Sequence, residues 1–170
     1  QSTAVDFIVD AAEARIEEIA LHAYGCRVVQ RILESCREPQ LDRVLAKLAA
    51  CVPTLARDMH GNYVVQSALE HGRDEDKIAI IAAVRSGLVG YATNKCSSNV
   101  VEKCIKVAAT KSSPAMEEEW RNLMDAVLGD GSSRPSPLKE LVHDKFGNYI
   151  VQSMLKQSHG GDRELVRRRL

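Results

Sequence analysis

The sequence predicts an all-α solenoid, and three observations lead to that prediction. Four blocks of similar sequence recur along the 170 residues, the segments between them carry apolar residues at helical spacing, and aromatic residues make up only 4% of the chain. With so few aromatic side chains, alanine and aliphatic residues must fill the interior, which favours helices packed closely on helices. Units that repeat in this way bury their apolar faces against one another and stack into an extended array.

The four blocks share one pattern of small, β-branched and polar residues. They read Tyr24-Gly-Cys-Arg-Val-Val-Gln-Arg31, His60-Gly-Asn-Tyr-Val-Val-Gln-Ser67, Cys96-Ser-Ser-Asn-Val-Val-Glu-Lys103 and Phe146-Gly-Asn-Tyr-Ile-Val-Gln-Ser153. Successive blocks are 36, 36 and 50 residues apart, so the last unit carries an insertion of 14 residues, which we place in the Gly/Ser/Pro-rich loop 129–137. The spacing predicts four units at about 1–38, 39–74, 75–110 and 111–158, followed by a partial cap helix at 159–170.

Both the blocks and the segments between them are predicted to be helical. Apolar residues recur at i, i+3, i+4 and i+7 spacing, as in the series Leu41, Val44, Leu45, Leu48, Val52 and Leu55. Pro53 is expected to end one helix of the second unit. Asp58 and Asp144 precede their blocks as helix caps, and Gly72 follows the second block where a helix should end.

Composition excludes several classes of protein. Lys+Arg and Asp+Glu both number 23, which excludes a nucleic-acid binder that relies on net charge alone but leaves room for a basic stripe. No apolar run approaches the roughly 20 residues of a membrane span, and the first residues lack the features of a signal peptide. Since the chain also lacks an initiator Met, we expect it to be a piece of a longer protein.

Cysteine and histidine usage predicts no metal, cofactor or catalytic centre. The 5 cysteines include no CxxC pair, so neither a disulfide framework nor a zinc knuckle is indicated, and a reducing compartment, the cytosol or the nucleus, fits best. Of these two we expect the cytoplasm. His22 and Cys26 lie one helical turn apart, but the sequence offers no third ligand or orienting group beside them. The sequence therefore predicts that the protein is not an enzyme.

Within each block, two polar positions four residues apart differ in chemistry but not in spacing. These pairs are Cys26/Gln30, Asn62/Gln66, Ser98/Glu102 and Asn148/Gln152. Residues i and i+4 share one helix face, so each pair can form a two-pronged hydrogen-bonding group, which we call a fork. A lone Asn or Gln would be a solvated surface residue, but four forks at one register indicate a surface that reads varied chemical edges.

The positions between the two prongs have separate predicted roles. The third and fourth positions are β-branched and are expected in the core: Val28, Val29, Val64, Val65, Val100, Val101, Ile150 and Val151. The second positions are Arg27, Tyr63, Asn99 and Tyr149. Three of these four are flat groups that can stack on a base, and Asn99 is expected to be the weaker step.

The blocks resemble Pumilio-type (PUF) RNA-binding repeats, over essentially the whole chain. Their order is similar to that of the last four of the eight repeats usual in that family. The resemblance implies three helices per repeat, stacked into a right-handed α-solenoid whose second helices line the concave face. It also implies that each repeat holds one base of single-stranded RNA.

The family's reading code carries over fork by fork. The pairs that match uracil readers are Asn62/Gln66 and Asn148/Gln152, the guanine reader is Ser98/Glu102, and the adenine reader is Cys26/Gln30. Because RNA runs antiparallel to the repeats in the family, the implied target is 5′-UGUA-3′, the core element of Pumilio sites in mRNA 3′ untranslated regions. The resemblance further implies post-transcriptional repression of messages, with effector proteins on the convex face.

Two other functions remain open at the level of sequence. Armadillo and HEAT arrays bind peptides along a concave face, but a peptide binder has no reason to alternate amide pairs with Ser98/Glu102. A PUF-like ribosome-assembly factor would bind structured RNA without a strict code. If the chain reads RNA bases, we expect four basic residues near the RNA and three acidic ones away from it, namely Arg27, Arg31, Lys95 and Lys103 against Glu117, Glu118 and Glu119.

Overall fold

The structure is a computed structural model that describes residues 2–129 and 136–170, with side chains from residue 6 onward. Its helices are α1 (Ser2–Ala14), α2 (Ile16–Leu21), α3 (Gly25–Ser35), α4 (Gln40–Arg57), α5 (Gly61–His71), α6 (Asp74–Arg85), α7 (Leu88–Ala92), α8 (Ser97–Ala108), α9 (Pro114–Leu128), α10 (Pro137–His143), α11 (Gly147–Gln157) and α12 (Gly160–Arg169). Among these helices, none combines the length and the apolar character that crossing a membrane requires. Most of the predicted loop 129–137 lies outside the described residues.

The helices form two layers. The helices built from the four blocks, α3, α5, α8 and α11, pack against one another in chain order, and we call them the block layer. The second layer contains α1, α4, α6 and α9, which also pack in chain order. We number the repeats by their block helices, so that repeat 1 contains α3 and repeat 4 contains α11. This arrangement is the all-α solenoid predicted from the repeated blocks.

One apolar core lies between the two layers. Its buried members extend from Val9 in α1 to Val166 in α12 and belong to a single cluster. Val, Leu, Ile and Ala supply most of it, and Trp120 is the largest side chain, at 1% exposed. Because each repeat shares this core with its neighbours, the position of one block helix fixes the position of the next.

Val28 was predicted to lie in the core, but the structure places it at the surface. It is 46% exposed, whereas Val64, Val100 and Ile150, which occupy the same position in repeats 2 to 4, are buried. Each of those three residues belongs to a helix that packs on a preceding block helix, whereas α3 is the first block helix of the described chain. The exposed side chain of Ile8 lies beside Val28. Burial at this position therefore depends on the neighbouring repeat and not on the residue itself.

The prediction that Pro53 ends a helix was wrong. Helix α4 continues through Pro53 as one element of 18 residues, so repeat 2 has a single long helix where the other repeats have two shorter ones. Pro53 is exposed, while Val52 and Leu55 beside it are buried in the core. Packing of the apolar face on both sides of the proline offsets the lost backbone hydrogen bond, which in an isolated helix would cost about 3 kcal/mol.

Gly72 ends α5 as predicted, but for a different reason than expected. Its φ angle is −68°, outside the left-handed region that glycine usually supplies at a helix end. A Cβ atom built on Gly72 would lie 2.7 Å from the Ala68 carbonyl oxygen. The residue is therefore a glycine because the backbone passes too closely for a side chain.

The last helix is attached to the stack through Asp162. The Trp120 indole Nε1 donates a hydrogen bond to Asp162 Oδ2 at 2.9 Å, and Lys111 Nζ donates to the same oxygen at 3.0 Å. Burial alone would raise the pKa of Asp162, but the hydrogen bonds from Trp120 and Lys111 outweigh it and keep that pKa below its usual value. Helix α12 is thereby fixed to α9 as well as to α11.

Candidate nucleic-acid interface

Each block helix begins with the same turn. A side-chain atom four residues before the fork accepts hydrogen bonds from the backbone N–H groups two and three residues later. In repeat 2, Asp58 Oδ1 accepts from His60 at 2.8 Å and Gly61 at 2.7 Å. The residues that do this in repeats 1 to 4 are His22, Asp58, Asn94 and Asp144. The predicted caps Asp58 and Asp144 are confirmed, and these turns place all four forks at one register.

The capping residue of repeat 4, Asp144, contributes a negative charge as well as hydrogen bonds. Hydrogen bonds from the Gly147 and Phe146 backbone N–H groups hold the pKa of Asp144 below its ordinary value. These donors lie at the N-terminus of α11, where a negative charge is also favoured by the helix dipole. Asp144 is therefore ionised at neutral pH, and its charge stabilises the start of the helix that carries the fork.

A close backbone approach follows the cap in three of the repeats. A Cβ atom on Gly61 would lie 2.8 Å from the Leu55 carbonyl oxygen, and one on Gly147 would lie 2.8 Å from that of Leu141. In repeat 3 the same position is Ser97, whose hydroxyl donates to the Tyr91 carbonyl oxygen at 2.8 Å. The block helices are thus held tightly against the helices that precede them.

The Asn62/Gln66 fork is held together by its own hydrogen bonds. Asn62 Nδ2 donates to the backbone oxygens of Asp58 at 2.8 Å and Met59 at 3.1 Å, and Gln66 Nε2 donates to Asn62 Oδ1 at 3.0 Å. Both amide hydrogens of Asn62 are therefore used. The Gln66 carbonyl oxygen and its second amide hydrogen have no partner among the described residues, so the fork offers one acceptor and one donor.

The fork of repeat 4 repeats these contacts. Asn148 Nδ2 donates to the backbone oxygens of Asp144 at 2.9 Å and Lys145 at 3.1 Å. Gln152 Nε2 donates to Asn148 Oδ1 at 3.0 Å. The geometry is therefore set within one helix and the turn before it.

The fork of repeat 1 has a different internal arrangement. Gln30 Nε2 donates to the Cys26 backbone oxygen at 3.0 Å, and Arg27 Nη1 donates to Gln30 Oε1 at 3.3 Å. Cys26 is only 2% exposed and behaves as a small apolar residue. Gln30 is thus the prong that reaches the surface in this repeat.

The fork of repeat 3 carries a negative charge. Ser98 Oγ donates to the Lys95 backbone oxygen at 3.3 Å. Glu102 Oε1 forms an ion pair with Lys106 Nζ at 2.6 Å, and both side chains are partly exposed, at 37% and 51%. The carboxylate can only accept hydrogen bonds, which distinguishes this fork from the three that end in Gln.

The structure brings the four forks into one row along the block layer. Their second prongs are half-buried in Gln30, Gln66 and Glu102 and exposed in Gln152. The first prongs are more deeply placed, with Cys26, Asn62 and Ser98 buried and Asn148 half-buried. The long side chains therefore provide most of the accessible polar groups, while the short ones orient them.

The residues at the second position lie beside the forks on the same surface. Tyr63 and Tyr149 are 48% and 61% exposed, and Asn99 is also exposed. The Arg27 guanidinium carbon lies 5.7 Å from the centre of the Tyr63 ring, across the boundary between α3 and α5. The Arg27 guanidinium and the Tyr63 ring therefore lie over one another beside the forks of repeats 1 and 2.

The charged residues that we expected near or away from the row are distributed as follows. Arg27 and Arg31 line a small groove with Gln30, and Lys95 lines a groove between α8 and α11. Lys103 is paired with Glu70 of the neighbouring block helix at 2.9 Å. The acidic residues Glu117–Glu119 belong to α9 in the second layer, and Glu119 is buried against Arg85.

Two lysines of the α8–α11 groove were not expected from the sequence. Lys106 and Lys156 line it together with Glu102, Tyr149 and Gln152. Their signal in the sequence was a shared register, since each lies eight residues after the first prong of its fork. Within the described ranges, no group of three or more His, Cys, Asp or Glu side chains could hold a metal ion.

Comparison with known proteins matches the repeated blocks to a family. The model of the Pumilio-family RNA binding repeat matches residues 15–49, 51–85, 88–111 and 139–167, well over half of the chain. Pumilio homolog 12 of Arabidopsis thaliana is 30% identical over 94% of this chain and 25% of its own length. Pumilio homology domain family member 4 of Saccharomyces cerevisiae is 31% identical over 95% of this chain and 18% of its own length. The chain thus spans a quarter or less of these two relatives.

Solved structures agree with the sequence comparison. The crystal structure of PUF-8 in complex with PBE-RNA superposes with a TM-score of 0.83 at 33% identity, covering 96% of this chain and 47% of that one. The Puf4 RNA binding domain bound to the HO endonuclease RNA 3′ UTR recognition sequence gives a TM-score of 0.81 at 28% identity, covering 96% and 50%. Repeats, forks and fold lead to one conclusion: the chain belongs to the Pumilio family of RNA-binding repeat proteins.

Proposed function

We propose that the chain binds single-stranded RNA in a sequence-specific manner, with one base on each fork. The observation that carries the proposal is the row of four forks at one register, which present three different pairs of side chains at one constant spacing. The two solved relatives described above are RNA complexes. Bases that are unpaired can present their Watson–Crick edges to such side chains and stack on neighbouring flat groups.

The chemistry of each fork selects a base. The Gln66 and Gln152 amides each offer one donor and one acceptor, which suits the mixed edge of uracil. The carboxylate of Glu102 accepts from the adjacent N1–H and N2–H groups of guanine, a pair of donors that uracil and adenine lack. Gln30 beside the apolar Cys26 suits adenine, which has one donor and one acceptor on this edge.

The order of the forks defines a target. With RNA antiparallel to the repeats, as in the family, repeat 4 takes the first base and repeat 1 the fourth, which gives 5′-UGUA-3′. We propose that this element lies in mRNA 3′ untranslated regions and that binding represses the message after transcription. Effector proteins would attach to the layer opposite the block layer. The 5 cysteines, all free in the structure, fit action in the reducing cytoplasm.

Titration with short RNAs tests the proposal. Affinity for an RNA containing UGUA should exceed affinity for the same RNA with UCUA by at least about tenfold, because cytosine does not offer Glu102 the two donors of guanine. Equal affinity for both RNAs would contradict the assigned code and favour a PUF-like protein that binds RNA without one.

Replacing the fork of repeat 3 tests the role of Glu102 directly. The double variant Ser98→Asn/Glu102→Gln carries the same pair as repeats 2 and 4, so its preferred target should change from UGUA to UUUA. The matched control is Glu117→Gln, which lies in the second layer and should leave the preference unchanged. An unaltered preference for guanine in the double variant would remove Glu102 from the proposed code.

A further inference from the structure

The block helices differ in charge one turn beyond the forks. The residue eight positions after the first prong is Glu34 in repeat 1, Glu70 in repeat 2, Lys106 in repeat 3 and Lys156 in repeat 4. Since i+4 and i+8 follow one another on the same side of a helix, this position lies next to the second prong of each fork. The row is therefore acidic beside repeats 1 and 2 and basic beside repeats 3 and 4.

The four residues also differ in whether they have an ion-pair partner. Glu34 pairs with Arg31 at 2.6 Å, and Glu70 pairs with Lys103 at 2.9 Å, so both carboxylates are engaged by protein cations. The hydrogen bond from Lys103 holds the pKa of Glu70 below its ordinary value. Lys156, by contrast, has no ion-pair partner among the described residues.

The two lysines lie in one groove with a third. A groove of about 490 Å³ between α8 and α11 is lined by Lys95, Lys106 and Lys156 and also by fork residues of both repeats. Glu102 is the one carboxylate among its lining residues, and it already pairs with Lys106. The groove therefore carries an excess of positive charge in a chain whose formal net charge is zero.

We propose that this lysine groove binds the phosphodiester that joins the two nucleotides held by repeats 4 and 3. The inference rests on the proposed function. A nucleotide on Gln152 and the next on Glu102 must be joined by a phosphate near the boundary between α11 and α8, which is where the groove lies. Lysine binds phosphate as a mobile point charge, and the long side chains of Lys106 and Lys156 start one turn from the forks.

The same argument assigns a different character to the other end of the row. Between repeats 2 and 1 the equivalent positions are Glu70 and Glu34, which pair with Lys103 and Arg31 and so neutralise two of the cations at that end of the row. The backbone of the first two target nucleotides should therefore be held more strongly by charge than the backbone of the last two. The RNA half that binds repeats 3 and 4 should consequently be the salt-sensitive half.

An uncharged backbone linkage tests the inference at a single position. We would compare UGUA-containing RNAs that carry one methylphosphonate either between U and G or between the last U and A. Wild-type protein should lose about threefold in affinity for the first RNA, a magnitude typical of exposed ion pairs. It should lose less for the second, where Arg31 and Lys103 are already paired with Glu34 and Glu70.

Lysine substitutions in the groove, combined with the modified RNAs, form a double-mutant cycle. Lys156→Gln is the sharper variant, because Lys106 also contacts Glu102. It should weaken binding of unmodified RNA about threefold and should then be less sensitive than wild type to the methylphosphonate between U and G. Its salt dependence, the slope of log affinity against log salt concentration, should fall by roughly 0.7. Lys47→Gln, on the exposed side of α4, is the matched control and should behave as wild type.

The outcomes separate this inference from the proposed function. If Lys156→Gln remains as sensitive to the methylphosphonate as wild type, the groove does not bind that phosphate, although preference for UGUA over UCUA would still stand. If wild-type protein shows no preference for UGUA over UCUA, the proposed function fails and the inference fails with it. Charge reversal gives a second measurement, since Glu34→Lys should raise affinity and steepen the salt slope without changing the preferred bases.

Discussion

Repeats 2 and 4 carry the same fork in different surroundings. Asn62/Gln66 and Asn148/Gln152 make the same internal hydrogen bonds within 0.1 Å. Asn62 is 3% exposed between the block helices of repeats 1 and 3, whereas Asn148 is half-buried and Gln152 is exposed. The shape of a fork is therefore local to its helix, while its access to solvent depends on the neighbouring repeats.

The flanking groups differ in the same way. Tyr63 has the Arg27 guanidinium 5.7 Å from its ring, and Tyr149 lies beside a groove rich in lysine. The same fork thus lies beside a cation–π pair in repeat 2 and beside a lysine-rich groove in repeat 4. If the forks read bases as proposed, the two repeats should share one base preference and differ in how tightly they bind.

Exchanging the forks should give the largest effect. Asn62→Ser/Gln66→Glu in repeat 2 and Asn148→Ser/Gln152→Glu in repeat 4 should each change one preferred base from uracil to guanine. We expect about tenfold weaker binding of UGUA and about tenfold stronger binding of UGGA or GGUA, respectively. Titration of both variants with all three RNAs measures the change.

The fork exchange also tests whether the forks of repeats 2 and 4 act independently of their neighbours. If the forks act independently, the two exchanges should change the preference by the same factor and leave the other positions untouched. A change in repeat 2 that is not matched in repeat 4 would mean that the neighbouring repeats help to select the base.

The close backbone approach before the forks of repeats 2 and 4 should matter for stability. Gly61→Ala and Gly147→Ala would each place a Cβ 2.8 Å from a backbone oxygen, so we expect each to lower the free energy of unfolding by about 1–3 kcal/mol. Urea denaturation measures the loss. Gly161→Ala is the control, because nothing lies within 4 Å of its Cβ position and alanine should there be neutral or stabilising. Unchanged stability of Gly61→Ala would show that the helices can separate without cost.

Removing the tyrosine rings should reduce RNA affinity by different amounts in repeats 2 and 4. Tyr63→Ala and Tyr149→Ala should both weaken RNA binding, by about tenfold for a typical stacked base. We expect the larger loss for Tyr63, because its ring also contacts the Arg27 guanidinium, which lies on the same surface. Titration of UGUA-containing RNA measures both, and Tyr63→Phe should bind as wild type. A larger loss in Tyr149→Ala would contradict the role given to Arg27.

Acid should act on repeat 4 through its cap, with the smallest effect of the four. The pKa of Asp144 is lowered in the folded protein, so its charge stabilises the fold above the usual carboxyl pKa of about 4 and the stabilisation is lost as the pH falls through the lowered value. Asp144→Asn keeps the cap, as Asn94 does in repeat 3, but lacks the charge. Its thermal midpoint should lie below that of wild type at neutral pH.

The pH dependence of that difference is the decisive measurement. At a pH near 3, below the usual carboxyl pKa of about 4, the gap in thermal midpoint between wild type and Asp144→Asn should become smaller. A gap that stays constant over this range would mean that the charge of Asp144 contributes nothing to the stability of α11.

The features that the sequence predicted are those that one helix and its first turn determine. The four forks and the caps Asp58 and Asp144 depend on spacings of four residues or fewer, which a sequence displays directly. Stacking of the units followed from the repeat itself, since no single unit could bury its apolar face.

The features that were missed depend on partners distant in the sequence. Val28 has the same residue type as its buried equivalents, and only the neighbouring helix decides its exposure. Pro53 is tolerated because Val52 and Leu55 pack in a shared core. Lys106 and Lys156 line one groove only because α8 and α11 pack side by side. In each case the deciding contact joins elements from different repeats.

The hydrogen bond between Trp120 and Asp162 gives the protein a built-in optical reporter. Trp120 is the single tryptophan of the chain, and it is almost fully buried where α12 is attached to α9. Detachment of α12 would admit water to the indole and shift its fluorescence to longer wavelength. Intrinsic tryptophan emission therefore reports whether α12 is attached to α9, without an added dye and from a residue outside the block layer.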